Sequence, residues 1–312
     1  MGTTVRAEMP GPIISSDAID RAADAGRDIV VHTPASGSAA LSDRCGGRIV
    51  LKAENLQRTG SFKIRGAMNK LSALGDAAKN GVTAGSAGNH AQAIAFAARH
   101  AGVPCEIFVP AGAPISKIEA CRAYGATLIE GGDSLDEAVA AARERASAAG
   151  MVFCHPYDDV DVVAGQATLG RELLADVPDL RLVIVPLGGG GLASGIAIAV
   201  KAHDPTIRVI GVQVEACAPY AHRPPQAGPV VTLADGIAVK RPGEITGPLV
   251  EQWLDDVVVV EENSVADAMV LLMERAKLFV EGAGAVGVAA LILLSAHRSP
   301  FRCRSMSAVM HG

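Results

Sequence analysis

Apolar runs alternate with amphipathic runs along most of this chain. Eight short runs rich in β-branched and apolar residues predict strands, each lying next to a run with helical periodicity. The predicted strands lie at residues 48–53, 81–85, 105–110, 126–129, 151–154, 182–186, 209–212 and 257–260. The run at 182–186 is apolar at every position, which is typical of a strand covered on both faces of its sheet. Repeated strand–helix units of this kind predict mostly parallel sheets with helices on both sides, an α/β fold.

The same pattern divides the chain. It restarts near residue 150, so we predict two α/β domains. The small domain is expected at residues 46–150, and the large domain at 1–45 together with 151–312. A chain of 312 residues is long enough to give each domain its own core.

Composition then excludes several classes of protein. Hydrophobic residues make up 49% of the chain and charged residues 20%, as in ordinary globular proteins. The net charge of -5, without a long basic run, argues against nucleic acid or an anionic membrane as the main partner. The apolar run at 283–296 is too short and too rich in glycine and alanine to span a membrane, and predicts a buried helix.

The six cysteines give no sign of metal or redox chemistry. They form no CxxC pair and no histidine cluster accompanies them, so we predict no metal site. Because no signal peptide is recognisable, we expect reduced thiols and a cytoplasmic location.

The first candidate for chemistry is a lysine. Lys63 lies between Phe62 and Ile64, just after the strand at 48–53 and at the start of a predicted helix. Partial desolvation there would lower its pKa and make its amine available for imine chemistry. Taken alone, a surface lysine at a helix start is the competing interpretation.

A glycine loop is the second candidate. It follows the strand at 182–186 and precedes a helix, and it consists of Gly188, Gly189, Gly190, Gly191 and Leu192. Consecutive glycines let backbone N–H groups converge on an anion, and the helix N-terminus adds the positive end of its dipole. The loop lacks the lysine of a P-loop and the spacing of a dinucleotide fingerprint. We interpret it as a phosphate site, with an unliganded tight turn as the alternative.

Two further junctions join small residues to polar ones. The first consists of Ser86, Ala87, Gly88, Asn89 and His90. Its N–H groups and the Ser86 hydroxyl are suited to a carboxylate, and Asn89 offers an amide to a polar ring substituent. The second begins with Glu281, which either orients a ligand or caps the following helix.

Lys63 is followed along the chain by the junction at 86–90, the glycine loop and the junction at Glu281. With these segments in this order, the sequence resembles the fold-type II pyridoxal-phosphate enzymes, and within them the threonine/serine ammonia-lyases. The most specific segments are residues 60–67, 86–92, the glycine loop and 232–240. The resemblance implies a two-domain fold like that of the tryptophan synthase β-subunit, pyridoxal 5′-phosphate as the cofactor, a small amino-acid substrate and a homo-oligomer.

The resemblance also assigns roles to residues. Lys63 would carry the cofactor as a Schiff base and later act as the base at Cα, and Phe62 would pack near the cofactor ring. Asn89 would bond the phenolic oxygen of that ring. The glycine loop would hold the phosphate, and the residues from Ser86 to His90 would clasp the substrate carboxylate.

The expected reaction is dehydration and deamination of L-threonine to 2-oxobutanoate and ammonia, with L-serine to pyruvate as a second activity. A racemase or another enzyme of the same fold is an alternative. Serine racemases carry a second serine at the position of Ala87, where alanine cannot transfer a proton, so we expect no efficient racemisation.

The end of the chain departs from the family pattern. Relatives continue into a strand ending Ser-Gly-Gly-Asn, whereas residues 296–312 are rich in Arg, Ser and Met and show no apolar strand pattern. We expect a truncated or frame-shifted end and a doubtful last strand, with an inactive cofactor-binding homologue as a further alternative. Ser307 is the nearest candidate for the contact to the pyridine nitrogen.

Overall fold

The computed structural model describes residues 14–113, 115–222, 230–296 and 305–310 of the chain. Its helices are α1 Ser16–Gly26, α2 Ala39–Cys45, α3 Lys63–Leu74, α4 Asn89–Ala101, α5 Ile115–Ala123, α6 Leu135–Ala149, α7 Val160–Asp176, α8 Gly191–His203, α9 Thr246–Trp253, α10 Glu262–Leu271 and α11 Gly282–Ala296. Its strands are β1 Ala35–Gly37, β2 Arg48–Ala53, β3 Val82–Gly85, β4 Cys105–Val109, β5 Thr127–Glu130, β6 Val152–Phe153, β7 Leu182–Pro186, β8 Arg208–Val214, β9 Asp256–Val260 and β10 Ser305–Met310. The prediction of an α/β fold with mostly parallel sheets is confirmed.

The larger sheet has six strands in the order β1-β2-β10-β7-β8-β9. Only β1 pairs antiparallel, with β2, and the other neighbours run parallel. All five residues of β7 are buried, as its wholly apolar sequence predicted. Helices cover both faces of this sheet, with α11 and α2 in one core cluster and α7 and α8 in another.

The last strand, which the sequence placed in doubt, is present. β10 lies between β2 and β7, with Ser307 in register with Val50 on one side and Val183 on the other. Without β10, β2 and β7 would leave unpaired backbone groups inside the sheet, which is costly. Backbone pairing with a strand on each side therefore stabilises β10 in spite of the weak strand propensity of its sequence.

The smaller sheet has four parallel strands in the order β5-β4-β3-β6. Two strands at the edges of the predicted division lie in the other sheet. β2, placed in the small domain by a boundary at residue 46, belongs to the six-stranded sheet, and β6, just past residue 150, belongs to the four-stranded one. A sequence pattern shows that a segment is extended but does not show which strand it pairs with. The sheet to which β2 and β6 belong could therefore not be predicted. The division into two domains stays a prediction.

Helices α3 and α7 approach each other closely, and this contact positions the start of α3. A Cβ on Gly66 would lie 2.5 Å from Nε2 of Gln166, and one on Gly165 would lie 2.5 Å from Cα of Gly66. Only glycine allows the two helices to pack at this distance. The contact fixes α3 one turn after Lys63, its first residue.

Helix α11 is buried over residues 282–291, which confirms the buried-helix prediction. Within the described ranges, no helix is long and apolar enough to cross a membrane. The same part of the chain contains no group of three or more His, Cys, Asp or Glu side chains placed to hold a metal ion. Cys45, Cys105, Cys121, Cys154 and Cys217 are free and buried, and Cys303 lies outside the described residues.

Candidate active site

One cavity contains both Lys63 and the glycine loop. Its walls come from the start of α3, the segment after β6, the β7–α8 loop and a short 3-10 turn at Asp235–Ile237. The lining residues are Phe62, Lys63, Pro156, Tyr157, Gln166, Pro186, Gly188, Gly189, Gly190, Gly191, Leu192, Gly236 and Ile237. The structure thus brings together two segments that lie more than a hundred positions apart in the chain.

Lys63 is half-buried, and its surroundings favour the neutral amine. Its Nζ donates to the carbonyl oxygen of Pro156 at 2.8 Å and lies 5.3 Å from the centroid of the Phe62 ring. Burial lowers the pKa of Lys63 to about 8, and the negative charge of Glu281 partly offsets that effect. A much larger fraction of this amine than of an ordinary lysine is therefore unprotonated and nucleophilic near neutral pH.

The Lys63 amine is expected to titrate with a midpoint near pH 8 instead of the ordinary 10.5. Competitive acetylation of the protein over a pH series, followed by mass spectrometry of the Lys63 peptide, measures this midpoint. In Glu281→Gln the midpoint should shift to lower pH, because the variant loses the charge that favours the ammonium form. A wild-type midpoint near 10.5 would contradict the desolvation argument.

The glycine loop presents bare backbone to the cavity. A Cβ on Gly189 would lie 2.2 Å from the Tyr157 ring, and one on Gly188 would lie 2.9 Å from Cα of Ile237. Gly190 has φ +94°, a left-handed conformation that favours glycine. Because α8 begins at Gly191, its first amides have no acceptor within the helix and can bind an anion.

The junction from Ser86 to His90 lies at the start of α4. Nδ2 of Asn89 donates to Oε1 of Glu281 at 2.8 Å, and the N–H of Gly88 donates to Oγ of Ser86 at 3.2 Å. The structure thus brings Asn89 and Glu281 together, although 192 positions separate them. Glu281 is close enough to Lys63 for its charge to affect the pKa of the amine.

The side chain of His90 points toward Cys154, which packs in the core beside the four-stranded sheet. It is buried, and its Nε2 donates to the carbonyl oxygen of Cys154 at 2.9 Å. Burial and the nearby Lys63 charge lower its pKa to about 3, so the ring is neutral. Because the His90 side chain is directed into the core, the predicted carboxylate site would use the backbone of this residue.

Ser307 has a defined place in the sheet. It lies in β10 beside Val183 of β7, the strand that leads into the glycine loop. Its assignment as the partner of a ring nitrogen stays a prediction, as do the other site assignments.

Sequence reasoning assigned no role to several lining residues. Pro156 and Tyr157 follow β6, and Gly236 and Ile237 form the 3-10 turn. The signal for the first pair was available, because ligands bind beyond the carboxyl ends of parallel strands. Gln166 offered no signal, since it lies in the middle of α7 and reaches the cavity only through the close α3–α7 packing.

The chain is similar to several known proteins. A family model described as pyridoxal-phosphate dependent enzyme matches residues 27–302. The L-threonine ammonia-lyase of Thermotoga maritima is 48% identical over 272 residues, which cover 85% of this chain and 68% of that protein. The solved T.th. threonine deaminase has a TM-score of 0.88 and 37% identity, covering 96% of this chain and 97% of that one. The solved maize serine racemase has a TM-score of 0.90 and 33% identity, covering 95% and 92%.

Proposed function

Since the chain belongs to the family of pyridoxal-phosphate dependent enzymes, we propose that it is an L-threonine ammonia-lyase that forms 2-oxobutanoate and ammonia. L-Serine, which lacks only the β-methyl group, is a second substrate and gives pyruvate. The observation that carries the proposal is the single cavity shared by the Lys63 amine and the glycine loop.

The residues present fit the cofactor. Pyridoxal phosphate has an aldehyde that reacts with an amine and a phosphate that binds backbone N–H groups. The cavity offers one lysine of lowered pKa and a cradle that side chains at Gly188 and Gly189 would block. When bound, the cofactor supplies an electron sink for the negative charge that develops at the substrate Cα.

Lys63 then has two tasks. Its amine would hold the cofactor, and as a free amine in the same cavity it would act as the base toward the substrate Cα, where proximity replaces a bimolecular encounter. A pKa of about 8 suits a base that removes the Cα proton near neutral pH. Glu281 sits close enough to stabilise the ammonium that results, and it holds the Asn89 amide in place. Phe62, Tyr157 and Ile237 line the cavity and limit the access of water.

A keto-acid assay tests the proposal. With pyridoxal phosphate supplied, L-threonine should yield 2-oxobutanoate and L-serine should yield pyruvate, each with one equivalent of ammonia. Chiral analysis of the serine reaction should show no appreciable D-serine, because Ala87 has no exchangeable proton to deliver to Cα. Accumulation of D-serine at a rate comparable to pyruvate would favour the racemase alternative, and cofactor binding without keto acid would favour an inactive homologue.

We also infer that the protein forms a homo-oligomer and lies in the cytoplasm. Phe279 is 83% exposed and Val231 is 87% exposed, and Leu56 and Leu233 are about half exposed. Asn55, next to Leu56 in the chain, donates to the carbonyl oxygen of Phe279. Apolar exposure of this kind marks a protein interface and supports a homo-oligomer. The free, buried cysteines support a cytoplasmic location.

A further inference from the structure

Behind the glycine loop lies a set of polar side chains that hold its carbonyl groups. Oγ1 of Thr246 donates to the carbonyl oxygen of Gly189 at 2.6 Å, and the hydroxyl of Tyr220 donates to the same oxygen at 3.2 Å. Nε2 of Gln213 donates to the carbonyl oxygen of Leu187 at 3.3 Å. None of these three side chains lines the cavity that the loop faces.

These bonds determine where the loop amides point. A trans peptide is planar, and its C=O and N–H groups point in opposite directions. Because Thr246 and Tyr220 hold the Gly189 carbonyl away from the cavity, the N–H of Gly190 faces into it. By the same geometry, Gln213 at the Leu187 carbonyl turns the N–H of Gly188 toward the cavity. Hydrogen bonds on the far side of the loop thus orient two N–H donors, those of Gly188 and Gly190, toward the space that a phosphate would occupy.

The supporting side chains are themselves fixed. Thr246 and Gln213 are fully buried. Asp158 accepts from the N–H of Thr246 at 2.9 Å and from that of Ile245 at 2.8 Å, which anchors the first residue of α9. Oε1 of Gln213 accepts from the N–H of Tyr220 at 2.9 Å. The donors therefore form one connected layer, in which each side chain has its own partner.

The layer also restrains the loop at this point. A Cβ on Gly190 would lie 2.8 Å from the Tyr220 hydroxyl and 3.1 Å from Cβ of Thr246. The loop backbone is thus pressed against the layer and cannot turn its peptide without losing these hydrogen bonds. Preorganised donors of this kind bind an anion without a reorganisation cost.

We propose that Thr246, supported by Tyr220 and Gln213, is a positioning residue that makes the site selective for the phosphorylated form of the cofactor. The inference rests on the cofactor of the proposed function and adds the source of its selectivity. The layer acts only on the phosphate end, so its loss should weaken binding of pyridoxal phosphate and leave binding of pyridoxal, which lacks the phosphate, unchanged.

The experiment compares the dissociation constants of both compounds for apoprotein, measured by absorbance titration. Thr246→Val keeps the shape of the side chain and removes the hydroxyl. Its dissociation constant for pyridoxal phosphate is expected to rise about tenfold, the effect of losing one buried hydrogen bond. The constant for pyridoxal should stay within about twofold of wild type. Thr246→Ser, which retains the hydroxyl, should restore most of the affinity for pyridoxal phosphate.

Thr83→Val is the matched control. Thr83 is also fully buried and donates through Oγ1 to a backbone carbonyl, that of Ala142 at 2.9 Å, but in the four-stranded sheet. The control should bind both compounds like wild type. Tyr220→Phe provides a second variant, with a smaller loss for pyridoxal phosphate alone, if Thr246→Val does not fold.

Equal losses for pyridoxal phosphate and pyridoxal, or no loss for either in both variants, would overturn the inference. The outcome is independent of the reaction. A wild-type protein that binds the cofactor with this selectivity but forms no 2-oxobutanoate would contradict the proposed function and leave the inference standing.

Discussion

Replacing Lys63 by alanine is expected to lower kcat for threonine deamination by about a thousandfold or more and to abolish the absorbance band of the lysine-bound cofactor. The variant loses the attachment point and the base at Cα together. A positioned base alone contributes about 10²–10⁴ in rate. No other described lysine lines the cavity, so no neighbouring amine can take over. Single-turnover keto-acid formation and an absorbance spectrum of the reconstituted protein measure the two effects.

A matched control is available in Lys79, an exposed lysine at the end of the turn that follows α3. Lys79→Ala should keep both the band and the rate. If Lys63→Ala retained the band, the cofactor would be attached elsewhere, and the assignment of this cavity would be wrong. Partial recovery of the rate on addition of a small alkylamine would show that the missing group is the amine itself.

The parts of the candidate site that could be predicted from the sequence are local. The glycine loop follows a buried strand and opens a helix, so its backbone donors could be placed from consecutive residues alone. Lys63 became a candidate only together with the glycine loop and the two junctions, because a lysine that starts a helix is more often an ordinary surface residue. The structure adds its burial, which lowers the pKa to about 8.

The parts that escaped prediction depend on contacts between distant segments. Thr246 and Tyr220 reach the Gly189 carbonyl from separate segments, more than thirty positions away at the nearest. Asn89 and Glu281 meet across 192 positions. Their residue types are compatible with many roles, and only the fold selects one. The backbone of β10 also depends on distant contacts. Its sequence has a weak strand propensity, and pairing with β2 and β7 holds it in a strand.

Arg65, two residues after Lys63, is part of a second feature that the sequence did not reveal. It is 2% exposed, and its guanidinium makes two hydrogen bonds to Glu54, at 2.8 and 2.9 Å. Two more, at 2.7 and 3.0 Å, go to Glu172 on α7. Glu54 is fully buried, and Lys52 also contacts Glu172, at 2.7 Å. This cluster ties the start of α3 to the six-stranded sheet and to α7.

Arg65→Met is therefore expected to lower the free energy of unfolding by about 3–5 kcal/mol, because it leaves the Glu54 carboxylate buried without its cation. Urea denaturation of the apoprotein near pH 7 measures the loss.

Burial alone would raise the pKa of Glu172, but hydrogen bonds from Arg65 and Lys52 outweigh it and place the pKa below the ordinary value. The stabilisation from Glu172 is thus present above the ordinary glutamate pKa of about 4.3 and is lost as the pH falls through the lowered one. The difference between wild type and variant should shrink over that acid range.

Arg145→Met provides the contrast, since Arg145 also binds a glutamate through two nitrogens, to Glu106 at 2.7 and 2.8 Å, but is itself largely exposed. Water screens that pair, so its loss should change stability only slightly. If both variants lost the same small amount, the Arg65 cluster would be no stronger than a surface pair. A large loss confined to Arg65→Met, with a reduced affinity for the cofactor in the folded fraction, would show that the cluster both stabilises the chain and holds Lys63 at the cavity.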